Sequence, residues 1–476
     1  MAADGEGFSG WAAGSGVRGL SEPAPDRRLA HAAAFRLMLS QPGKSAARTL
    51  SATQRRGLVR GFAVAGIFGL AAPGMMMGLA GWAGLVLFAA ILVFRVALYR
   101  SGQTAAPMPA RPDEAEDWPV YTLLIALKDE AETAAQLAAA IRALDYPADR
   151  LDVKLLIETG DAATAFALRR ERWPARSELL TVPPGLPRTK PRALNYGLAR
   201  ARGDFVVVYD AEDRPHPDQL KAAVQAFRAG SRKLACVQAP LVGEGARGWV
   251  AGQWALEYAV QFGRLLPGQA RLGLPMALGG TSNHFRRDVL EAAGGWDAWN
   301  VTEDADLGLR LARGGYGVGM IAPPTLEAPP EGLVVWTNQR SRWLKGFLQT
   351  WLVVMRQPGE AVRELGMAGF VSVQLTLGAA ILSALVHGPW AVWLALGLVF
   401  PDIAPPPAYL AIAGISYAVG MAMALGAPGR KDWQRWMLAA TLPLYWPLQS
   451  IAMVRALYGL VRCPHFWAKT PHTAPF

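Results

Sequence analysis

The sequence predicts an α/β fold, a mostly parallel sheet with helices on both faces, joined to a multi-pass α-helical transmembrane region. Three observations carry this. Between residues 120 and 209, short β-like apolar runs alternate with helical stretches, as in parallel strands linked by crossover helices. Long apolar segments flank that block, Gly61 to Tyr99 before it and most of residues 366–460 after it; a membrane helix needs about 20 such residues. The composition is mixed: 52% of 476 residues are hydrophobic, 18% are charged, and 17 are tryptophan. That mixture fits a soluble domain attached to membrane helices with interfacial aromatics.

Residues 1–57 are rich in Ala, Gly, Ser and Arg and hold Pro23, Pro25 and Pro42. They are expected to be mostly disordered, with one short helix from Arg28 to Leu39. Their first apolar run starts too late and is too long for a secretory signal. Residues 58–100 read as a transmembrane hairpin turning at Pro73-Gly74 or at Gly81. Arg55, Arg56 and Arg60 precede it, and Arg95 and Arg100 close it, which favours both ends in the cytoplasm. A polar linker with Pro107, Pro109 and Pro112 follows.

The next block, residues 118–338, carries the soluble domain. Val120 to Leu127 reads as a strand, Glu130 to Leu144 as a helix, Val153 to Ile157 as a second strand, Arg192 to Arg202 as a helix and Phe205 to Tyr209 as a third strand. Ligands of such sheets bind beyond the carboxyl ends of the strands. Lys128-Asp129-Glu130 and Asp210-Ala211-Glu212-Asp213 both stand there. Residues 339–365 contain Gln339-Arg340-Ser341-Arg342-Trp343 and an amphipathic stretch in which Trp343, Phe347, Trp351 and Met355 recur at helical spacing, suited to a membrane surface. Spans are expected near 367–387, 388–402, 407–426 and 434–459, giving five or six with the hairpin, before a cytosolic tail at 461–476. An even count leaves Arg430, Lys431 and Arg435 outside, against the positive-inside tendency.

The net charge is +11, from 48 Lys+Arg against 37 Asp+Glu. No basic repeat or nucleic-acid motif accompanies the excess, so anionic lipid heads and a nucleotide diphosphate are the expected partners, not nucleic acid. Cys236 and Cys463 offer neither a disulfide framework nor a metal spacing, which fits a reducing cytosolic face.

Lys128-Asp129-Glu130, Asp210-Ala211-Glu212-Asp213, Thr302-Glu303-Asp304 and Gln339-x-x-Arg342-Trp343, in this order from Val120 to Trp351, resemble the membrane-bound enzymes of glycosyltransferase family 2, to which cellulose, chitin and hyaluronan synthases belong. The resemblance implies a GT-A fold and an inverting, metal-dependent transfer of a sugar from a nucleotide sugar, UDP-linked, to a growing β-linked polysaccharide at the bacterial inner membrane, with the catalytic domain cytoplasmic. A single transfer to a lipid acceptor, or a non-catalytic nucleotide-sugar-binding subunit, are the alternatives. Export or accessory subunits are further partners that the resemblance allows.

The roles follow residue by residue. Asp210 with Glu212, or with Asp213, implies a site for Mg2+ or Mn2+, hard cations that one or two carboxylates and a diphosphate hold. Asp129 or Glu130 beside Lys128 implies the base contact, and Asp161 a weaker one, because Gly160 interrupts the pattern. Acids at a helix N-terminus also favour its dipole. Lys190 matches a diphosphate-holding lysine. Asp304 matches the base that takes the acceptor's proton, with Glu303 beside it. Thr302 and its acids read equally as a helix cap, which would fix Asp304 in place. Thr281, Ser282 and His284, after Gly279-Gly280, match an acceptor-pocket loop, although a lone His is usually a hydrogen-bonded structural residue. Gln339, Arg342 and Trp343 complete the site, Arg342 on the diphosphate and Trp343 as a flat face for a sugar. Phe466-Trp467-Ala468-Lys469-Thr470-Pro471-His472 resembles the closing segment of bacterial members. No Arg-x-x-x-Arg followed by Asp-x-Ser-x-x-Gly is found, so a cyclic-di-GMP-binding barrel is not expected.

Overall fold

The computed structural model describes residues 20–104, 117–429 and 431–467. Expectations for residues 1–19, for the linker at 105–116 and for the tail from 468 fall outside these residues. Among the described residues, the strands are β1 (Leu20–Ser21), β2 (Tyr121–Leu127), β3 (Leu151–Glu158), β4 (Arg176–Val182), β5 (Phe205–Tyr209), β6 (Arg214–Pro215), β7 (Leu234–Gln238), β8 (Leu241–Gly243), β9 (Asn283–Arg286), β10 (Gly317–Met320) and β11 (Thr325–Glu327). The main sheet has the order β1-β4-β3-β2-β5-β9-β7-β10, and a small one the order β6-β11-β8. Only β9 runs antiparallel to its neighbours in the main sheet, β5 and β7. The mixed, mostly parallel α/β architecture expected from the alternation is therefore present.

Residues alternate between the two faces of each central strand. Leu123, Ile125, Val153, Leu155 and Val207 pack under helices Ala134–Arg142, Ala162–Arg169 and Gln219–Ala229. Leu124, Leu156, Leu180, Val206 and Val208 pack against Lys190–Leu198, Leu266–Arg271 and Glu303–Arg313. One buried polar cluster interrupts this apolar packing. Lys154 Nζ lies 2.7 Å from Asp152 Oδ1 and 2.8 Å from Glu178 Oε2, and Asp152 also accepts from Thr122 Oγ1 and Arg202 N. Glu178 also pairs with Arg202 at 2.7 Å, so Lys154→Ala would leave buried Asp152 without its cation, and we expect a loss of about 3–5 kcal/mol. Thermal unfolding of the purified full chain checks it; a wild-type midpoint would mean that the cluster contributes nothing.

Around the one short helix, residues 20–57 depart from the expected disorder. The helix expected from Arg28 to Leu39 is present as Arg27–Ser40, capped by Asp26, whose side chain accepts from Leu29 N. Its Ala30, Ala33, Ala34 and Leu37 are buried, and Ala30 joins the core beside helix Lys190–Leu198. Residues 42–48 then cross to the membrane-proximal side. Arg356 donates to the carbonyls of Pro42, Gly43, Ser45 and Arg48, buried Asp297 accepts from Ser45 Oγ and Ala46 N, and Lys44 pairs with Glu364 at 3.0 Å. Apolar burial and specific polar anchors order a segment whose composition alone reads as loose.

The membrane region has fewer spans than expected. Among the described residues three helices are long and apolar enough to cross a membrane: Pro73–Gln103, Pro358–Val399 and Pro407–Gly426. Trp433–Ala440 and Leu442–Arg462 pass that test only together, bent by 48°. In the segment expected to form a hairpin, the helix breaks at Ala72, just before Pro73, and the first piece, Ala52–Ala71, contains Arg55, Arg56 and Arg60 and is not one of the three. The stretches 367–387 and 388–402 are not two spans, because the helix runs through Pro389 to Val399. A proline inside a membrane helix is tolerated where neighbours support the opened turn, and Ser450 Oγ bridges the turn before Pro389, accepting from Gly388 N at 2.8 Å and donating to Ala384 O at 2.5 Å. The helix Leu333–Val354 carries Gln339 to Trp343 in its second and third turns, not at its start. It is buried on several sides by Leu448–Arg462 and Glu303–Arg313, so it is an internal strut and not an amphipathic helix at a free surface.

Candidate active site

A chamber of about 2030 Å3 opens at the carboxyl ends of β2, β3 and β5. It runs on between the helices Pro73–Gln103, Ala379–Val399 and Pro407–Gly426. At the sheet end its wall includes Lys128, Asp129, Glu130, Asp161, Lys190, Asp210, Glu212, Glu303, Asp304, Gln339, Arg342 and Trp343.

Asp210 directly follows β5, and Lys190, at the start of its helix, donates Nζ to Asp210 Oδ1 and to Gly280 O, the latter at 2.9 Å. Burial alone would lower the lysine pKa. The carboxylates of Asp210, Glu303 and Asp213 outweigh that and hold it well above its ordinary value. Glu303 and Asp304 open the helix Glu303–Arg313 across the chamber. Asp304 Oδ1 accepts from Ala305 N at 2.8 Å, and a Cβ on Gly280 would stand 3.4 Å from Asp304 Oδ2. Burial and the Asp304 charge push Glu303 up to about 7, while Lys190 and Arg342 pull the other way. Burial raises Asp304 too, opposed by Ala305 N, Lys190 and Arg342.

The expected cap at Thr302 forms no side-chain hydrogen bond. Asp304 is instead held by its own backbone and by close packing: a Cβ on Gly346 would lie 2.6 Å from Thr302 Cγ2, so a glycine lets the helix Leu333–Val354 press against the Thr302 turn. That helix also sets Arg342, which donates to Val301 O at 3.3 Å, lies 5.2 Å from the Trp467 ring, and keeps a buried Nε with no hydrogen-bond partner. Gln339 Oε1 accepts from Trp254 Nε1 at 3.0 Å. Trp343 stacks on Tyr258, centroids 6.2 Å apart.

Several expected residues are turned away from the chamber. Asp213 is buried; its Oδ2 accepts from Asp210 N at 2.7 Å and from Thr281 Oγ1, and Oδ1 has no hydrogen-bond partner. Burial beside Asp210 and Glu212 raises its pKa well above the carboxylate range. It braces the turn, leaving Glu212 as the chamber-facing partner of Asp210. Thr281, Ser282 and His284 are also buried, outside the chamber wall. Ser282 Oγ bonds Thr325 Oγ1 at 2.5 Å. His284 meets Tyr121 Oη at 2.7 Å and Gln219 Oε1 at 3.2 Å, and burial lowers it to about 3. For His284 the reason is register, because β9 lies between β5 and β7 in the middle of the sheet; Thr281 and Ser282 precede the strand and are tied to the end of β5 by Thr281 Oγ1 and Ser282 N, which both donate to Val208 O. Asp161 lines the chamber, but its oxygens accept from Thr164 N and Asp129 N. It steadies Asp129, which sits at φ 53°, a costly conformation that sites tend to retain.

Two residues were missed. Glu327 ends β11 facing the acidic cluster; burial, then Asp213, Glu212 and Asp210, raise its pKa. Arg340 grips Glu257 through both oxygens at 2.7 and 2.6 Å and lies 4.7 Å from the Trp343 ring. Among the described residues no group of three or more His, Cys, Asp or Glu could hold a metal ion. Asp210 and Glu212 nonetheless present hard oxygen donors to the chamber, the kind that suits a cation taking its other ligands from a diphosphate.

The pattern of glycosyl transferase family group 2 matches residues 205–445, about half of the chain. The chain belongs to that family and is a glycosyltransferase. It is 28% identical over 362 residues to a β-monoglucosyldiacylglycerol synthase of Synechocystis, covering 70% of this chain and 72% of that one. It is 28% identical to a probable glycosyltransferase of Bacillus subtilis (50% and 58%), and 25% identical to a cellulose synthase catalytic subunit of Komagataeibacter sucrofermentans (52% and 33%), so it spans little more than half and about a third of those two. A mannosyltransferase of Pyrobaculum calidifontis, solved with GDP-Man and Mn2+, shares the fold, with TM-score 0.53 and 21% identity over 79% of this chain and 97% of that one.

Proposed function

We propose that the chain is a bacterial inner-membrane glycosyltransferase that moves a sugar from a nucleotide sugar, UDP-linked, to a hydroxyl of a lipid acceptor in one inverting displacement, with its catalytic domain in the cytoplasm. The observation that carries this reading is the chamber's continuity. Acids and cations line it at the sheet, whereas Leu85, Phe88, Ile91, Leu382, Val386 and Ala413 line it between the membrane helices, a surface for acyl chains and not for a hydrated glycan. The glycolipid synthase of Synechocystis supports the same reading.

Asp304 takes the acceptor proton as the hydroxyl attacks C1, and the nucleoside diphosphate leaves from the opposite face. Lys190 and the unpaired Arg342 Nε receive the diphosphate charge. A divalent cation, Mg2+ or Mn2+, held by Asp210 and Glu212, neutralises part of that charge when bound. Asp129 and Glu130, fixed from below by Asp161, stand where the base lies, and Trp343 offers a flat face to a sugar.

A second reading, a β-linked polysaccharide synthase, draws support from the Trp390, Trp393, Tyr417 and Trp446 side chains on the chamber wall. Product analysis separates the two. The purified protein in lipid vesicles, given a panel of labelled nucleotide sugars, should yield one sugar per lipid and lose activity to a chelator. A ladder of products would establish the polymer reading, and a chelator-resistant enzyme would remove the cation from the scheme.

A further inference from the structure

Where the chamber passes from its charged end to its apolar end it contains a lone guanidinium. Arg95 lies one turn deeper into the membrane helix Pro73–Gln103 than Tyr99, whose hydroxyl anchors the helix on Met423 O at 3.0 Å. It is exposed, and its side chain lines the chamber. Among the described residues that line the chamber from this helix and from residues 375–449, Arg95 is the only charged one. No carboxylate among the described residues stands within 4.0 Å of it. The nearest opposing charge it feels is Glu257, and that carboxylate is already held by Arg340 through both oxygens and by the Tyr445 hydroxyl at 3.1 Å. An unpaired ionised side chain at this depth is costly and marks a ligand path. A guanidinium presents a planar fork that matches two phosphate oxygens.

Resting on the lipid-acceptor reading above, we propose that Arg95 binds a phosphate group in the acceptor's headgroup, so that the acceptor is a phosphodiester lipid bearing a free hydroxyl. The apolar wall around Phe88, Ile91 and Val386 takes the chains, and Arg95 holds the phosphate. The hydroxyl beyond it reaches Asp304. The phosphate is a handle and stays intact: the hydroxyl oxygen bonds to C1, its proton passes to Asp304, and the C1–O electron pair leaves with the nucleoside diphosphate.

The test compares phosphatidylglycerol with diacylglycerol as acceptors in polyoxyethylene micelles, with the donor saturating. The wild type should favour the phosphate-bearing lipid at least tenfold in kcat/KM. Arg95→Gln should collapse that preference at least tenfold, through KM and not kcat, and Arg95→Lys should recover part of it. Equal use of the two lipids by the wild type, an unchanged preference in Arg95→Gln, or no recovery in Arg95→Lys would each overturn the proposal, while transfer to diacylglycerol alone would leave the lipid-acceptor reading standing. If neither lipid is glycosylated and a polymer grows instead, both fall.

Discussion

Asp304→Asn is expected to lower kcat by about 10²–10⁴-fold, the range that a positioned general base supplies, while nucleotide binding survives. The amide keeps the shape and can still accept from Ala305 N, so the loss isolates proton transfer. The substitution has a second signature. Burial and the Asp304 charge push its neighbour Glu303 up to about 7. Removing that charge lets Glu303 ionise at lower pH. Wild-type kcat should therefore rise with pH along an acid limb set by the Glu303–Asp304 pair, and the residual rate of Asp304→Asn should show a limb displaced towards lower pH. A variant with near-normal kcat, or an unmoved limb, would remove Asp304 from the base role. Nucleotide binding, followed by calorimetry, distinguishes lost chemistry from a lost fold.

Gly346→Ala is expected to be almost as damaging, although residue 346 contacts no reacting atom. The added methyl would overlap Thr302, at 2.6 Å from Cγ2 and 2.7 Å from Cβ. Overpacking of this kind costs about 1–3 kcal/mol, and the structure can relieve it only by moving the helix Leu333–Val354 or the turn that starts Glu303–Arg313. Either motion shifts Arg342 relative to Asp304, and a displacement of about 1 Å can cost 10²-fold in rate. We expect kcat to fall by about that factor with a modest drop in melting temperature. Full activity in Gly346→Ala would show that the two helices are not locked together. Thr302→Ala in the Gly346→Ala background, which deletes both Oγ1, the atom nearest the added methyl, and Cγ2, should restore part of the rate.

The middle of the sheet was legible because β2, β3 and β5 are runs of β-branched and aliphatic residues with a polar cluster at their ends, whereas β1, β4, β7 and β10 are shorter or more mixed. β2, β3 and β5 appear within two residues of their expected bounds, and so do the acids that follow them. What sequence could not show was which way a side chain turns. Asp210, Glu212 and Asp213 stand within four positions, yet the tight turn spends Asp213 on Asp210 N. Thr281, Ser282 and His284 follow two glycines, as a ligand loop would, but an antiparallel strand inserted into a parallel sheet carries no distinct pattern; that strand puts His284 in the core, and the turn before it ties Thr281 and Ser282 to Val208. Glu327 and Arg340 were missed because their roles depend on residues distant in sequence, Glu327 on the acidic turn and Arg340 on Glu257. The separate span at 388–402 was misjudged for a related reason: the helix continues through Pro389 to Val399 beside Ser450, 62 positions on, which accepts from Gly388 N; the span expected at 434–459 coincides with Trp433–Ala440 and Leu442–Arg462, which pass as one span with a 48° bend.

The ordered segment before the first membrane helix sets an order of synthesis. Lys44 pairs with Glu364 and the 42–48 stretch closes on Arg356, contacts that span more than 300 positions. Such long loops close slowly. A ribosome must therefore build the whole catalytic domain before this belt can fasten, and residues 20–51 wait unpaired while the helix Pro73–Gln103 enters the bilayer. Residues 42–48, made before the domain they fasten, are among the last parts to find their place.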